Sequence, residues 1–118
     1  MYTSQTRALA VLEFSANVNT ERILRYLNMV EIEIPDDIQE VAIADLSGDW
    51  REVPAPASTK DFGSSLLTGA SNAVRKMPSA VIPQEFNFLI NPQHQLSANC
   101  RIIEVTDFIF DIRIKTAK

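Results

Sequence analysis

A chain of 118 residues is long enough for one domain with one core, and 46% hydrophobic against 22% charged residues excludes a disordered polyelectrolyte. Eleven Lys and Arg against fifteen Asp and Glu leave a net charge of −4, which argues against phosphate-backbone binding as its main work, because nucleic-acid binders carry a basic face. Cys100 is the one cysteine, so no intrachain disulfide forms, and no apolar run approaches the ~20 residues that a membrane helix needs.

The opening Met1-Tyr2-Thr3-Ser4-Gln5-Thr6-Arg7 lacks the charged and apolar regions of a signal peptide, so the expected compartment is the cytoplasm. Residues 8–16 are apolar except for Glu13 and Ser15, a pattern that predicts a mostly buried helix with Thr3 or Ser4 as its cap. Ile23, Leu24 and Leu27 recur at helical spacing and predict a second short helix over 20–28. Val30, Ile32 and Ile34 then alternate with Glu31 and Glu33 up to Pro35, which reads as a strand with one wet face.

A further strand is expected over 40–46, closed by the turn residues Ser47-Gly48-Asp49, and Pro54 and Pro56 mark a loop. Phe62, Leu66, Leu67 and Ala70 predict a helix over 59–73, weakened by Gly63 and Gly69. The apolar run 79–82 lies between Pro78 and Pro83 and reads as a short strand; Phe86, Phe88 and Ile90 alternate as another. The C-terminal run from Arg101 places Phe108, Phe110, Ile112 and Ile114 on one strand face. Several strands and two or three helices, without regular βαβ alternation, predict an α+β domain spanning 1–118.

The sequence has no Gly-rich phosphate loop, no nucleophile elbow and no two-histidine zinc helix, and one His with one Cys makes a poor metal-ligand set. His94 follows Asn91-Pro92-Gln93 and is expected in an exposed turn. Cys100 is read either as a small core residue or as half of a thiol dyad with His94.

Glu13 is the only ionisable group between Arg7 and Glu21, on an otherwise apolar helix. Either it points through a narrow gap to water, or it is a cleft carboxylate placed to stabilise positive charge developing on a sugar. Ser79, fixed near Pro78, either satisfies backbone groups at a strand end or bonds a substrate. Tyr2 is either a frayed terminal residue or a surface on which a planar ring can stack.

Taken in order, the pieces resemble the RES domain, the toxin half of a bacterial toxin–antitoxin pair. The resemblance rests on Tyr2-Thr3-Ser4 with Leu9-Ala10-Val11-Leu12-Glu13, then Pro56, Ser58-Thr59, Phe62-Gly63, Leu66-Leu67 and Gly69. Its most specific stretch is Pro78-Ser79-Ala80-Val81-Ile82-Pro83, Glu85, Asn87 and Leu89-Ile90-Asn91-Pro92 with His94, before the closing Phe108-Ile109-Phe110-Asp111-Ile112-Arg113.

The resemblance implies a mostly antiparallel α+β fold similar to ADP-ribosyltransferase toxins, and an activity on NAD⁺ that releases nicotinamide, with water, phosphate or a protein as acceptor. Glu13 would stabilise the ribosyl cation and hold ribose hydroxyls, and Tyr2 would orient the nicotinamide side. Ser79 and Asn87 would bind substrate. NAD⁺ would be the substrate and no cofactor would be needed. The implied partner is an antitoxin with an Xre-type DNA-binding domain that covers the active site, so the antitoxin and not this chain would touch DNA. A shortened, non-catalytic module that binds an antitoxin is the alternative. The family's early strand, with its NAD⁺-engaging arginine and a Gly-Gly-Arg-Trp-like segment, has no counterpart in this sequence, whose first arginine is Arg7, and Phe88 stands where many members have tyrosine. Such a short form would leave a sheet edge unpaired, inviting self-association.

Overall fold

The computed structural model describes residues 1–18, 25–46, 48–51 and 72–114. Among them the chain runs through strand β1 (Tyr2–Ser4), helix α1 (Arg7–Asn17), and strands β2 (Tyr26–Glu33), β3 (Ile38–Glu40), β4 (Val74–Pro78), β5 (Phe86–Ile90) and β6 (Arg101–Ile109). One sheet has the order β1-β5-β4-β3, antiparallel except for the parallel β3–β4 pair; β2 and β6 form a separate antiparallel ribbon. The architecture is α+β, as the sequence pattern predicts, and mostly antiparallel, as the resemblance implies. No described helix is long and apolar enough to cross a membrane.

The two faces of the four-stranded sheet do different work. Because side chains alternate along a strand, residues paired across the ladder share a face. Val74 pairs with Ile90, and both are buried in a cluster with Ala73, against which Ile32, Ile34, Phe88 and Cys100 pack. That face is apolar core. The opposite face carries Tyr2, Ser4, Asn87, Leu89, Met77 and Arg75 by the same register, and α1 lies over it through Glu13.

Thr6, rather than Thr3 or Ser4, caps α1: its side-chain oxygen accepts from Leu9 N at 3.1 Å. Thr3 and Ser4 are committed to β1, where the Thr3 hydroxyl donates to Phe88 O at 3.0 Å. The helix expected over 20–28 gives way at its end to β2, since Tyr26, Leu27 and Asn28 pair with Ile109, Phe108 and Asp107. A nine-residue partner strand from the far end of the chain outweighs a local helical spacing there. Residues 20–24 of that expected helix lie outside the described residues, as do the Pro54–Pro56 loop and nearly all of the helix expected over 59–73.

The strand expected over 40–46 is instead the end of β3 followed by a 3-10 turn, Ile43–Asp45, in which Asp45 Oδ2 accepts from Ala42 N at 3.3 Å. The 79–82 strand is a loop. Ser79 Oγ accepts from Val81 N at 3.0 Å and Ile82 N at 3.1 Å, which turns the backbone away from the ladder. Ser79 N donates to Glu85 O at 2.8 Å and closes the β4–β5 connection. At the other end of the chain, β6 stops at Ile109, so Ile112 and Ile114 sit in an exposed 3-10 turn instead of continuing the strand. Asp111 sets that turn by accepting from Arg113 N at 3.0 Å.

Phe110 is fully buried and meets Phe14 of α1 edge-to-face, with centroids 5.3 Å apart and planes at 70°. This contact joins the helix to the β2–β6 ribbon. Phe110→Ala is expected to cost about 3–5 kcal/mol of unfolding free energy. Urea denaturation checks this; a loss below about 1 kcal/mol would mean that the contact does not join helix and ribbon.

Candidate functional site

Four residues singled out from the sequence, Tyr2, Glu13, Ser79 and Asn87, converge on one point. Glu13 projects from α1 onto the polar face of the sheet and is 9% exposed. Its Oε1 accepts two hydrogen bonds of 2.6 Å, from Ser79 Oγ and from Asn87 Nδ2. It does not project freely into solvent. Nor is its charge paired: among the described residues no Lys, Arg or His lies within 4.0 Å of it. Both partners are neutral donors, and no hydrogen bond engages Oε2 among the described residues.

Each partner is oriented from behind. Ser79 is fully buried and its oxygen accepts from two backbone N–H groups, so its own proton is directed at Glu13. The hydroxyl thus satisfies backbone groups and faces the carboxylate at once. Asn87, also fully buried, accepts at Oδ1 from Ser4 Oγ at 2.8 Å. The Glu13 carboxylate, which can only accept, fixes which end of the amide is the donor. Nδ2 then gives one proton to Glu13 and the other to Tyr2 Oη at 2.7 Å.

Tyr2 is not frayed. It pairs with Leu89 in the ladder, and Met1 exchanges two 2.8 Å bonds with Ile90 beside it. The residue is more than half exposed while its hydroxyl is turned inward to Asn87. As the hydroxyl accepts from Asn87, its own proton is left to point elsewhere. Burial of the hydroxyl end, then the negative charge of Glu13, push the Tyr2 phenol up to about 12, against the opposing pull of the Asn87 bond.

Other sequence candidates lie elsewhere. His94 is half-buried rather than in an exposed turn: Nδ1 accepts from Leu96 N at 3.1 Å, capping the 3-10 turn Gln95–Asn99, and Nε2 faces Asp37 Oδ2 at 3.7 Å. Cys100 packs as a small apolar residue against Ala73, Val74 and Ile90. Two grooves along the β2–β6 ribbon, of about 470 and 200 Å³, are lined mainly by apolar residues such as Leu27, Met29 and Phe108; none of the four convergent residues lines either. With Asp107 as the one titratable group of ordinary acid–base use among their lining residues, these grooves offer little chemistry. Sequence reasoning passed over Ser4, although its place two residues from Tyr2 in a strand puts both on one face, and it passed over Arg75.

These features define a small α+β domain built around a buried carboxylate with no counter-ion among the described residues. The family that carries it is the RES domain: its model matches residues 1–111, and the chain belongs to that family. The chain is 32% identical to "Toxin Res" of Yersinia enterocolitica over 117 residues, covering 98% of this chain and 77% of the relative. It is likewise 32% identical to the "Prs ADP-ribosylating toxin" of Sphingobium sp. (strain YBL2), over 97% of this chain and 73% of the relative. "Toxin Res" of Pseudomonas putida is 27% identical over 95% and 75% of the two chains.

The elevated Tyr2 phenol carries a sign. The folded chain holds its proton to about 12 whereas an unperturbed tyrosine releases it near 10.0, so this group contributes a loss of stability as pH rises through that interval. In Tyr26→Phe, which leaves Tyr2 as the only tyrosine, absorbance titration should give a midpoint near 12. Adding Glu13→Gln should lower it. An unperturbed midpoint, or one indifferent to Glu13, would contradict the geometry.

Proposed function

We propose that this RES-family chain is the toxin of a type II toxin–antitoxin pair and depletes NAD⁺ by cleaving the bond between nicotinamide and ribose. One observation carries the reading: a carboxylate nine-tenths buried, held by two neutral donors through a single oxygen, and paired with no cation among the described residues. Such a site is complementary to positive charge that arrives with a ligand. In low-dielectric surroundings a fixed negative charge acts on a developing cation far more strongly than it would in water.

In the reaction the C1′–N bond breaks and its electron pair passes to the ring nitrogen, so nicotinamide leaves neutral. Positive charge moves to the ribosyl carbon and ring oxygen, an oxocarbenium-like transition state. Glu13 stabilises that charge, and its Oε2 holds a ribose hydroxyl. Ser79 and Asn87, both fully buried, keep the carboxylate aimed. Tyr2 offers an exposed ring face for the nicotinamide, and its hydroxyl proton points to an acceptor on the ligand. The cation is captured by the oxygen of water, phosphate or a protein nucleophile, which releases its proton to solvent. One similar protein is named as ADP-ribosylating, which supports this chemistry.

Purified chain incubated with NAD⁺ should release nicotinamide, and Glu13→Gln should slow release on the order of 10²-fold or more. Equal NAD⁺ loss in both proteins, or none in either, would remove the enzymatic reading.

A second reading is favoured by the β2–β6 ribbon, which leaves Tyr26, Ile102, Val105 and Ile109 between 53% and 82% exposed. Apolar exposure on that scale marks a protein-binding surface, and an Xre-type antitoxin is the partner proposed for it. Co-expression with an adjacent Xre-type gene should yield a complex that Val105→Lys with Ile109→Lys disrupts. Copurification unaffected by these changes would place the partner elsewhere.

A further inference from the structure

Among the described residues, Glu13 is not the only buried charge left without an ion-pair partner on the polar face of the sheet. Arg75, in β4, is 4% exposed. Its Nη1 donates to Asn72 O at 3.2 Å, while its Nε is sealed from solvent with no hydrogen-bond partner, the one such buried side-chain atom among the described residues. No carboxylate lies within 4.0 Å of it among those residues. Asp37 is coupled to its charge, but both Asp37 oxygens are engaged at close range, by Asn72 Nδ2 at 2.7 Å and Ala73 N at 2.9 Å. A desolvated guanidinium with an unmet N–H is costly, and an anionic acceptor would relieve both deficits together.

The ladder fixes where this cation sits. Arg75 pairs with Leu89, and Leu89 pairs with Tyr2, so Arg75 and Tyr2 share a face and lie two strand spacings apart, ~10 Å between backbones. Asn87 is two residues from Leu89 and therefore on that face as well. Among the described residues the face thus presents an anion at one place and a cation at another, neither in an ion pair, with Tyr2 on it too. A ligand that matches both has a cationic ring joined through a sugar to a phosphate.

We infer that Arg75 is a phosphate-ester binding residue that holds the pyrophosphate of a dinucleotide whose cationic end faces Glu13. The inference rests on the reading of Glu13 given above and extends it to the ligand's anionic part. A guanidinium suits this task because its planar fork can give two parallel N–H bonds to one phosphate, which an ammonium cannot do.

Calorimetric titration of the full chain with inorganic pyrophosphate at low salt tests this for wild type, Arg75→Met and Arg75→Lys. Wild type is expected to bind, Arg75→Met to bind at least tenfold more weakly, and Arg75→Lys to fall between, with the charge kept and the fork lost. Arg75→Met is expected to fold with an equal or higher Tm, because an apolar side chain replaces a buried uncompensated charge. Should it not fold, Arg75→Lys carries the comparison. Equal affinity in wild type and the folded variants, or no binding by wild type, overturns the inference. No bond is broken in this titration, so its result is separate from NAD⁺ cleavage. A chain that cleaves NAD⁺ yet ignores pyrophosphate loses the role of Arg75 alone, and one that binds pyrophosphate through Arg75 without cleaving NAD⁺ loses the enzymatic reading alone.

Discussion

The shared oxygen of Glu13 is the constraint around which the described structure is organised. A carboxylate taken out of water without compensation is among the most expensive things a small domain can contain. Here compensation comes from two short charge-assisted hydrogen bonds, each worth roughly 1.5–3 kcal/mol. The donors reside on the loop after β4 and on β5, so one atom of α1 ties the helix to both arms of the β4–β5 hairpin. Through Asn87 the tie extends to β1, by way of Ser4 and Tyr2. Polar satisfaction, more than apolar contact, holds the helix in register on this face.

That arrangement is possible because the sheet segregates its duties. The buried apolar cluster of Ala73, Val74 and Ile90 lies on one side, with Ile32 of β2 and Ile34 just beyond it packed against it. The other side is free to carry Asn87 and Arg75 inward, residues that a two-sided apolar core would reject. Loop chemistry completes the division. Ser79 leaves the ladder one residue after Pro78, and the turn it caps spends two backbone N–H groups on its oxygen while its proton remains for Glu13. The proposed role of Glu13 in meeting a sugar cation draws on the same geometry that makes the carboxylate tolerable in the folded chain.

Much of this was legible before any coordinates. Glu13 stood out because nothing else from Ala8 to Thr20 can ionise. The α+β class followed from alternating runs with irregular spacing. Ser79 was visible from its proline-fixed segment, whereas Asn87 entered through likeness to a family, since a lone asparagine carries no spacing signal. What stayed hidden was decided by distant partners or by competing short-range bonds. Tyr26–Asn28 is strand because β6 is there to pair with it. Thr6 wins the cap because Thr3 and Ser4 have partners in β5 some eighty residues away in sequence. Arg75 could not be recognised as unpaired from sequence, since its isolation depends on where Asp37 and Asn72 direct their own polar atoms.

The three-residue strand β1 is an edge of the sheet among the described residues, yet it supplies both Tyr2 and Ser4 to the cluster. Edge segments open locally at far less free energy than the domain as a whole. A transient peeling of β1 would strip the phenol from the cluster and let the Asn87 amide rotate while Val74 and Ile90 stay packed. The competent state of the site is therefore a narrower ensemble than the folded state, and gentle warming or mild denaturant would empty it first.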